Sequence, residues 1–517
     1  MKMIPIVGLE IHVQLNTKSK MFCSCANVED GALPNTAICP ICTGQPGALP
    51  MLNEEALKKG VLAGLAFNCT IPDKSAFDRK NYFYPDLPKG YQISQFALPV
   101  ALGGQVVFEI PEPEQALPGR ETVQIGITRV HLEEDAAKNF HAPEGLDGQP
   151  ATLVDYNRSS TPLIEIVTEP DFRSAAEAKF FLQELRAILR AIKVSDADME
   201  KGQMRCDVNI SLMEVDVNGY PVKTTLNPRT EIKNLNSFRA VERAILYEIQ
   251  RQGALYEVKT PPTEATRGWD DAKGKTVEQR SKETSADYRY FPEPDLPPQD
   301  LAEIREQMQK RVPELPAQIR LRLQTEYGFS KANAAFFVAD SGWLEYTEQV
   351  MSELAGWVEA SDDKLESGAD ALDEKKAFYA KLVGGWLTSK LAGLLTEKNL
   401  TIKEVNITPE NFAEFINLLA KKTINSANGQ KLLQLMHENG KDPSDLMETH
   451  NLSQDLGEDE LAATVKRNLD ANADKAEEIK NGKLPLIKWF VGLVMRDTEG
   501  KADPMKVEME IRRQLGV

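Results

Sequence analysis

The sequence predicts an α+β protein: a strand-rich first part, a helical region, and an all-α tail. Two alternating stretches and one helical repeat carry that prediction. Val7, Leu9, Ile11, Val13 and Leu15 alternate with Gly8, Glu10, His12, Gln14 and Asn16, the period of a half-buried strand. Cys206, Val208, Ile210 and Leu212 alternate with Arg205, Asp207, Asn209 and Ser211 in the same way. Between these stretches Leu182, Leu185, Leu189 and Ile192 recur at helical spacing, behind a capping box of Ser174 and Glu177.

The remaining elements follow in order. Val123–Leu132 and Leu163–Val167 read as further strands. Phe291-Pro-Glu-Pro-Asp-Leu-Pro-Pro298 breaks both periods and sets a first boundary, giving a domain 1–295. A helical domain 296–405 follows, and its acidic stretch 353–376 reads as a solvated insertion without chemistry. Thr408-Pro409 is an N-cap with proline at the first helical position. Phe412, Phe415, Ile416 and Leu419 then open a helical tail domain, 406–517.

Composition bounds the function. The chain has 517 residues, 42% hydrophobic and 27% charged, room for several units at about 100–200 residues each. No apolar run approaches the about 20 residues of a membrane span. Pro5 and Glu10 interrupt the stretch a signal peptide would need, so a cytoplasmic protein is expected. The net charge of −17 opposes nucleic-acid binding by charge alone, so any such partner needs a local patch or help from another protein.

Four of the six cysteines form two close pairs, Cys23-x-Cys25 and Cys39-x-x-Cys42, within a loop-rich segment 21–46. Paired thiolates at this spacing suit a structural zinc ion, with two disulfides or an iron–sulfur cluster as the alternatives. Cys206 falls on the apolar side of its strand and reads as a small buried hydrophobe.

Charged residues also recur two apart on strands, which puts them on one face. Glu10 and His12 do so, as do Glu231 and Lys233, while Asp207 lies on the polar side of its strand. Glu165 interrupts an apolar strand, where an unpaired charge is costly, and Glu133-Glu134-Asp135 closes the strand carrying His131. Gathered on one sheet, these carboxylates would select magnesium or manganese; for any single residue, a wetted polar face is the alternative. Phe77–Gln95 interleaves Arg79, Lys80 and Lys89 with Tyr82, Phe83, Tyr84 and Tyr91, a pattern that serves phosphates and stacked bases or simply packs a proline-rich loop. No Walker loop or dinucleotide fingerprint is present.

At these residues the chain resembles the GatB family, the B subunits of the bacterial aspartyl/glutamyl-tRNA amidotransferase. The resemblance rests on Val7–Val13, Phe77–Gln95, His131–Asp135, Thr161–Val167, Arg205–Ser211, Glu231–Ser237 and Asp287–Leu296, and extends to Gly500–Pro504. It implies a sheet-based cradle like that of glutamine synthetase, followed by helical and tail domains. It implies ATP-dependent phosphorylation of the side-chain carboxylate of misacylated Glu-tRNA(Gln) or Asp-tRNA(Asn), then displacement of phosphate by ammonia. Magnesium would be held at Glu10, His12, Glu134, Glu165 and Asp207, with Glu231 nearby. Lys80 and Lys89 are assigned to the phosphates, with Arg79 and Lys233 as further ATP-binding candidates. Some family members carry the zinc cysteines. A partner amidase would supply ammonia, a small third protein would join the two into a heterotrimer, and the tail would grip the tRNA. The archaeal-type relative, which has an extra inserted domain, and a non-catalytic zinc-containing RNA-binding scaffold are the competing readings.

Overall fold

The structure, a computed structural model, describes residues 2–28, 31–143, 148–216, 222–281, 288–360, 369–453, 457–498 and 501–517. It divides into two compact units, Met1–Ala317 and Gln318–Val517.

The first unit is built on a nine-stranded mixed sheet. At its centre lies β1 (Lys2–Gln14), between β10 (Pro162–Thr168) and β11 (Met204–Val215). Beyond β11 come β12 (Thr230–Leu235), β13 (Ala265–Asp270) and β14 (Lys275–Ser281). Beyond β10 come β7 (Thr122–Glu134) and the short strands β5 (Ala101–Leu102) and β6 (Gln105–Glu109). All neighbours run antiparallel except β12 and β13. A smaller sheet has the order β15 (Arg289–Pro292), β3 (Asp78–Asn81), β4 (Tyr91–Ser94). Among the described residues, two pairs complete the strands: β2 (Lys74–Ser75) with β16 (Gln299–Asp300), and β8 (Lys138–Ala142) with β9 (Ala151–Asp155).

Strand alternation gives the large sheet two unlike faces. Val7, Leu9, Ile11 and Val13 are buried, in one core with Val130, Leu132, Ile164, Ile166, Val208 and Ile210. The same core takes in the apolar stripes of α1 (Glu54–Ala66), α2 (Ala175–Ala191) and α3 (Phe238–Glu257). Each such side chain contributes about 1.5–3 kcal/mol when taken from water. Ser174 does cap α2, accepting from the Glu177 amide, but the Glu177 carboxylate is drawn to Arg120 at 2.6 Å and to the Arg173 amide. The interposed residues of β1, Glu10, His12 and Gln14, are only partly buried and face the other way.

Beneath the far side of the sheet, Glu248 of α3 is completely buried. It accepts from Arg251 at 2.8 Å and Gln252 at 3.1 Å, lies 3.4 Å from Arg267, and accepts from the Thr276 hydroxyl, tying α3 to β13 and β14. Glu248→Ala is expected to cost about 3–5 kcal/mol, because two arginines lose their buried counter-charge. Denaturant unfolding of the purified chain reads this directly, and an unchanged midpoint would remove the network from the stability of the unit.

The proline-rich boundary at 291–298 is a break in secondary structure, not in packing. Leu296, Leu301 of the following turn and Met308 of α4 (Ala302–Gln309) all enter the core of the first unit. The division falls instead within α5 (Pro316–Glu326).

The second unit is helical. It continues with α6 (Lys331–Val338), α7 (Ser341–Ala360) and α8 (Ala369–Gly385), a π-helical turn (Trp386–Leu391) and α9 (Ala392–Glu397). Then come α10 (Pro409–Ala420), α11 (Ser426–Asn439) and α12 (Pro443–Thr449). Thr408 caps α10 as the sequence predicts. Yet Phe412, Phe415 and Ile416 share one core with Phe337, Val350 and Leu387, so this core runs across the expected boundary at 405/406. A separate core, including Val465, Phe490 and Ile511, joins α13 (Glu458–Ala471), α14 (Ala473–Lys480), α15 (Leu486–Asp497) and α16 (Pro504–Leu515). The acidic stretch 353–376, read as an insertion, spans the end of α7 and the start of α8, with 361–368 outside the described residues. Asp287 and Gly500 of the quoted motifs are also outside them.

Candidate active site and cysteine centre

The polar face of the large sheet gathers residues from five strands. Pairing sets Glu10 of β1 opposite Asp207 of β11, and His12 opposite both Arg205 of β11 and Glu165 of β10. Glu165 in turn lies opposite His131 of β7. Asn209 lies opposite Glu231 of β12, which brings Glu231 and Lys233 to the same face.

The tightest cluster is acidic and imidazole-rich. His12 Nε2 is 3.3 Å from Glu165 and 3.6 Å from Glu133. His131 Nε2 is 3.1 Å from the same Glu165 carboxylate and 4.0 Å from Glu133. Ligand atoms of His12, Glu133 and Glu165 all lie within 4.8 Å of one another. Burial disfavours a charge on His12, but Glu165, by charge and hydrogen bond, and Glu133 outweigh it and hold the imidazole up to about 8. Burial likewise opposes the Glu165 carboxylate, yet His131 and His12 keep it well below the usual carboxylate range. Glu10 goes the other way: burial, then the charge of Glu165, raise it despite a 2.8 Å hydrogen bond from Asn209. A face that crowds carboxylates until one resists ionising is suited to a divalent cation.

Basic groups frame the cluster. Lys233 Nζ lies 2.6 Å from Asp207 and 2.9 Å from Glu231. Lys80 of β3 reaches over the Tyr288 ring at 4.9 Å; burial would lower its pKa, but the Glu133 charge and others drive it up. Arg205 Nη2 is 2.9 Å from the Asp135 carboxylate.

Three assignments from the sequence need correction. Glu134 is not in the cluster with His12 and Glu165. Adjacent residues of a strand point to opposite faces, and the Glu134 carboxylate instead accepts from the Ile93 amide at 2.9 Å and pairs with Lys89 at 2.6 Å. Glu133 takes the place expected for it, held by the Ser94 hydroxyl at 3.3 Å. Arg79 is similarly turned away from Lys80. Its Nε and Nη2 are taken, by Glu293 at 2.8 Å and Asp295 at 3.1 Å, and the guanidinium lies 4.4 Å from the centre of the Tyr91 ring. Lys89, bound to Glu134, is likewise engaged away from the polar face. Sequence reasoning missed Glu133 and His131 as members of the cluster, although their two-residue spacing is the same signal that singled out Glu10 and His12.

The cysteines form a second centre. All six are free thiols, and the sulfurs of Cys23, Cys25, Cys39 and Cys42 lie within 4.8 Å of one another. The Cys23 thiol, the Cys39 amide and the nearby Lys20 ammonium together hold Cys42 down to about 4 against burial. Lys20 is fully buried, with Nζ 3.7 Å from Cys42 Sγ and 3.2 Å from the Tyr156 carbonyl. Four unpaired sulfurs at this mutual distance fit a tetrahedral ion with sulfur ligands.

Residues 5–307 match the family model described as the GatB/GatE catalytic domain. The chain belongs to the GatB family. Residues 370–515 match a second model, the GatB domain. Among the similar curated proteins is the B subunit of the aspartyl/glutamyl-tRNA(Asn/Gln) amidotransferase of Symbiobacterium thermophilum, 43% identical over 96% of this chain and 95% of that protein. Those of Crocosphaera subtropica (42% identical, over 96% of this chain and 95% of that protein) and Thermotoga maritima (41%, over 100% and 99%) carry the same name. The family's B subunits thus match the whole length of the chain, including both the polar sheet face and the helical unit. Among the described residues, no helix is long and apolar enough to cross a membrane.

Proposed function

We propose that the chain is the activating component of a tRNA-dependent amidotransferase. It uses ATP to phosphorylate the side-chain carboxylate of glutamate on tRNA(Gln), or aspartate on tRNA(Asn), and ammonia then displaces the phosphate. The observation that supports it most is the cluster of His12, Glu133 and Glu165, flanked by Glu10, Asp207 and Glu231 and overlooked by Lys80.

Each group has a task in that chemistry. A carboxylate oxygen forms a bond to the γ-phosphorus as the bond to the ADP oxygen breaks, so several anions must approach one another. His12, Glu133 and Glu165, with Glu10 and Asp207 beside them, would hold magnesium, which when bound neutralises and aligns phosphate oxygens. Lys80 offers a fixed positive charge to the phosphates. Lys233 is gripped by Asp207 and Glu231 and keeps both carboxylates in register. In the second step nitrogen bonds to the acyl carbon, phosphate leaves and a proton is lost to solvent or to a base. The acyl phosphate is sensitive to water, and the aromatic wall of Tyr82, Tyr288 and Tyr290 beside Lys80 supports a sheltered site.

The open polar face supports the cradle expected from the glutamine synthetase resemblance. Ammonia would come from a partner amidase, with a small third protein between them. Cys23, Cys25, Cys39 and Cys42 would hold a structural zinc ion. The C-terminal helices would grip the tRNA; Trp489, with Lys475 over its ring at 3.5 Å, supplies a stacking and charged surface there.

The test incubates the chain with its amidase partner, ATP, magnesium and misacylated Glu-tRNA(Gln) or Asp-tRNA(Asn). ADP release that depends on the misacylated tRNA, followed by amide formation, is the expected result. Binding of tRNA with no nucleotide turnover would return the scaffold reading.

A further inference from the structure

We propose that Arg205 is the guanidinium that grips the phosphoryl group in transfer, aimed by the buried carboxylate of Asp135. The inference rests on the phosphoryl-transfer reading above and adds a residue that reading does not assign.

Position comes first. Arg205 lies beside His12 in the register of β1 and β11, and two residues before Asp207 on the same strand face. It therefore sits on the polar face, next to the cluster.

Orientation comes second. Asp135 directly follows β7 and is nearly fully buried. Its carboxylate accepts from Gln14 at 3.1 Å and from Arg205 at 2.9 Å. Arg158 is committed to backbone, donating to the Ala136 carbonyl at 2.9 Å and the Ala137 carbonyl at 2.8 Å. Its Nε stays 3.7 Å from Asp135, so Arg205 is the direct donor.

Spare capacity comes third. A guanidinium has five N–H donors in a planar fork. Among the described residues, Asp135 is the one hydrogen-bond partner of the Arg205 side chain, and neither Glu133 nor Asp207 comes within ion-pair distance of it. Apart from Lys80, the bases first expected at the phosphates already have acidic partners: Arg79 has Glu293 and Asp295, Lys89 has Glu134, and Lys233 has Asp207 and Glu231. Arg205 is thus a pre-oriented fork with open donors beside an anion-handling cluster, the arrangement that recognises phosphate oxygens two at a time.

Arg205→Ala, Arg205→Lys and Asp135→Asn in the complex with the amidase partner test this. Arg205→Ala should lower kcat for tRNA-dependent ADP release about 10²–10³-fold, as for loss of one transition-state donor, and raise KM for ATP; the melting temperature should fall as Asp135 loses its donor, but at temperatures where the variant stays folded the rate loss should persist. Millimolar guanidinium chloride should restore part of that rate. Arg205→Lys keeps the charge but not the fork and should fall between. Asp135→Asn should lower kcat without responding to guanidinium, since it misdirects a side chain that is still present. Wild-type kcat and KM in Arg205→Ala would overturn the assignment. So would a loss that tracks a fall in melting temperature and ignores guanidinium, which marks a purely structural ion pair. A wild-type complex that forms no ADP would instead overturn the phosphoryl-transfer reading itself.

Discussion

Glu165→Gln is expected to reduce tRNA-dependent ADP formation by about 10²–10³-fold while leaving the fold intact. The substitution keeps the shape of a buried side chain and removes only its charge. That charge sits between two imidazoles, His12 at 3.3 Å and His131 at 3.1 Å, on a strand where its immediate neighbours Ile164 and Ile166 are apolar. It is the common element of the cluster, so its loss weakens cation holding and alignment together. A second readout is independent of turnover. Glu165 is the principal reason His12 titrates near 8 rather than at the usual 6.5. With the glutamine, burial prevails and the His12 midpoint should fall below 6.5, as followed by NMR. In the wild type this raised value stabilises the folded chain fully below pH 6.5, and the contribution disappears as pH rises through about 8. In Glu165→Gln that pH-dependent contribution should be lost. Wild-type ADP formation together with an unmoved His12 titration would take Glu165 out of the site.

Much of this site was legible because β-strand alternation is a local rule. Glu10 and His12 are separated by Ile11, and burial of Ile11 fixes both neighbours on the opposite face. Asp207, flanked by Cys206 and Val208, is fixed in the same way. The rule fails to choose when two chemically equivalent residues are adjacent. Glu133 and Glu134 both look like ligands, as Arg79 and Lys80 both look like phosphate contacts, and only one of each pair faces the cluster. Counting in twos from His131 selects Glu133; nothing local selects Lys80 over Arg79, because the partners of Arg79 lie more than two hundred residues along the chain. Domain limits were less legible for a related reason. Prolines at 291–298 end strands, but whether the chain then leaves the core depends on where Leu301 and Met308 pack. Likewise Thr408 announces a helix, and no feature of that signal tells which helices Phe412 and Phe415 join.

Cys42→Ser should abolish zinc binding and loosen the loop it belongs to, without unfolding the sheet. Between residues 31 and 51 the loop has little apolar anchorage: Leu33, Leu49 and Met51 are exposed, and Cys42 is the buried hydrophobic residue of that stretch. What ties the loop down is its four sulfurs and a few hydrogen bonds, among them Asn35 to Asp155 at 3.0 Å and Asn157 to Leu33 at 2.7 Å. In zinc-finger peptides a bound ion supplies about 10–16 kcal/mol of apparent folding free energy. Its loss here should therefore be felt as faster proteolysis within 26–51 and zero metal content in Cys42→Ser. The large core contains Met21 and Phe22 but none of the four cysteines, so denaturant unfolding of the first unit should change little. The loop nevertheless packs against a residue outside itself. Gly44 holds φ at +64°, and a Cβ there would sit 2.7 Å from Lys89 Cγ, so the loop packs directly against the lysine that holds Glu134. Releasing the sulfurs frees that packing, and the Lys89–Glu134 pair is the first contact beyond the loop expected to loosen. Stoichiometric zinc in the serine variant, or none in the wild-type protein, would show that the four sulfurs do not form a zinc site.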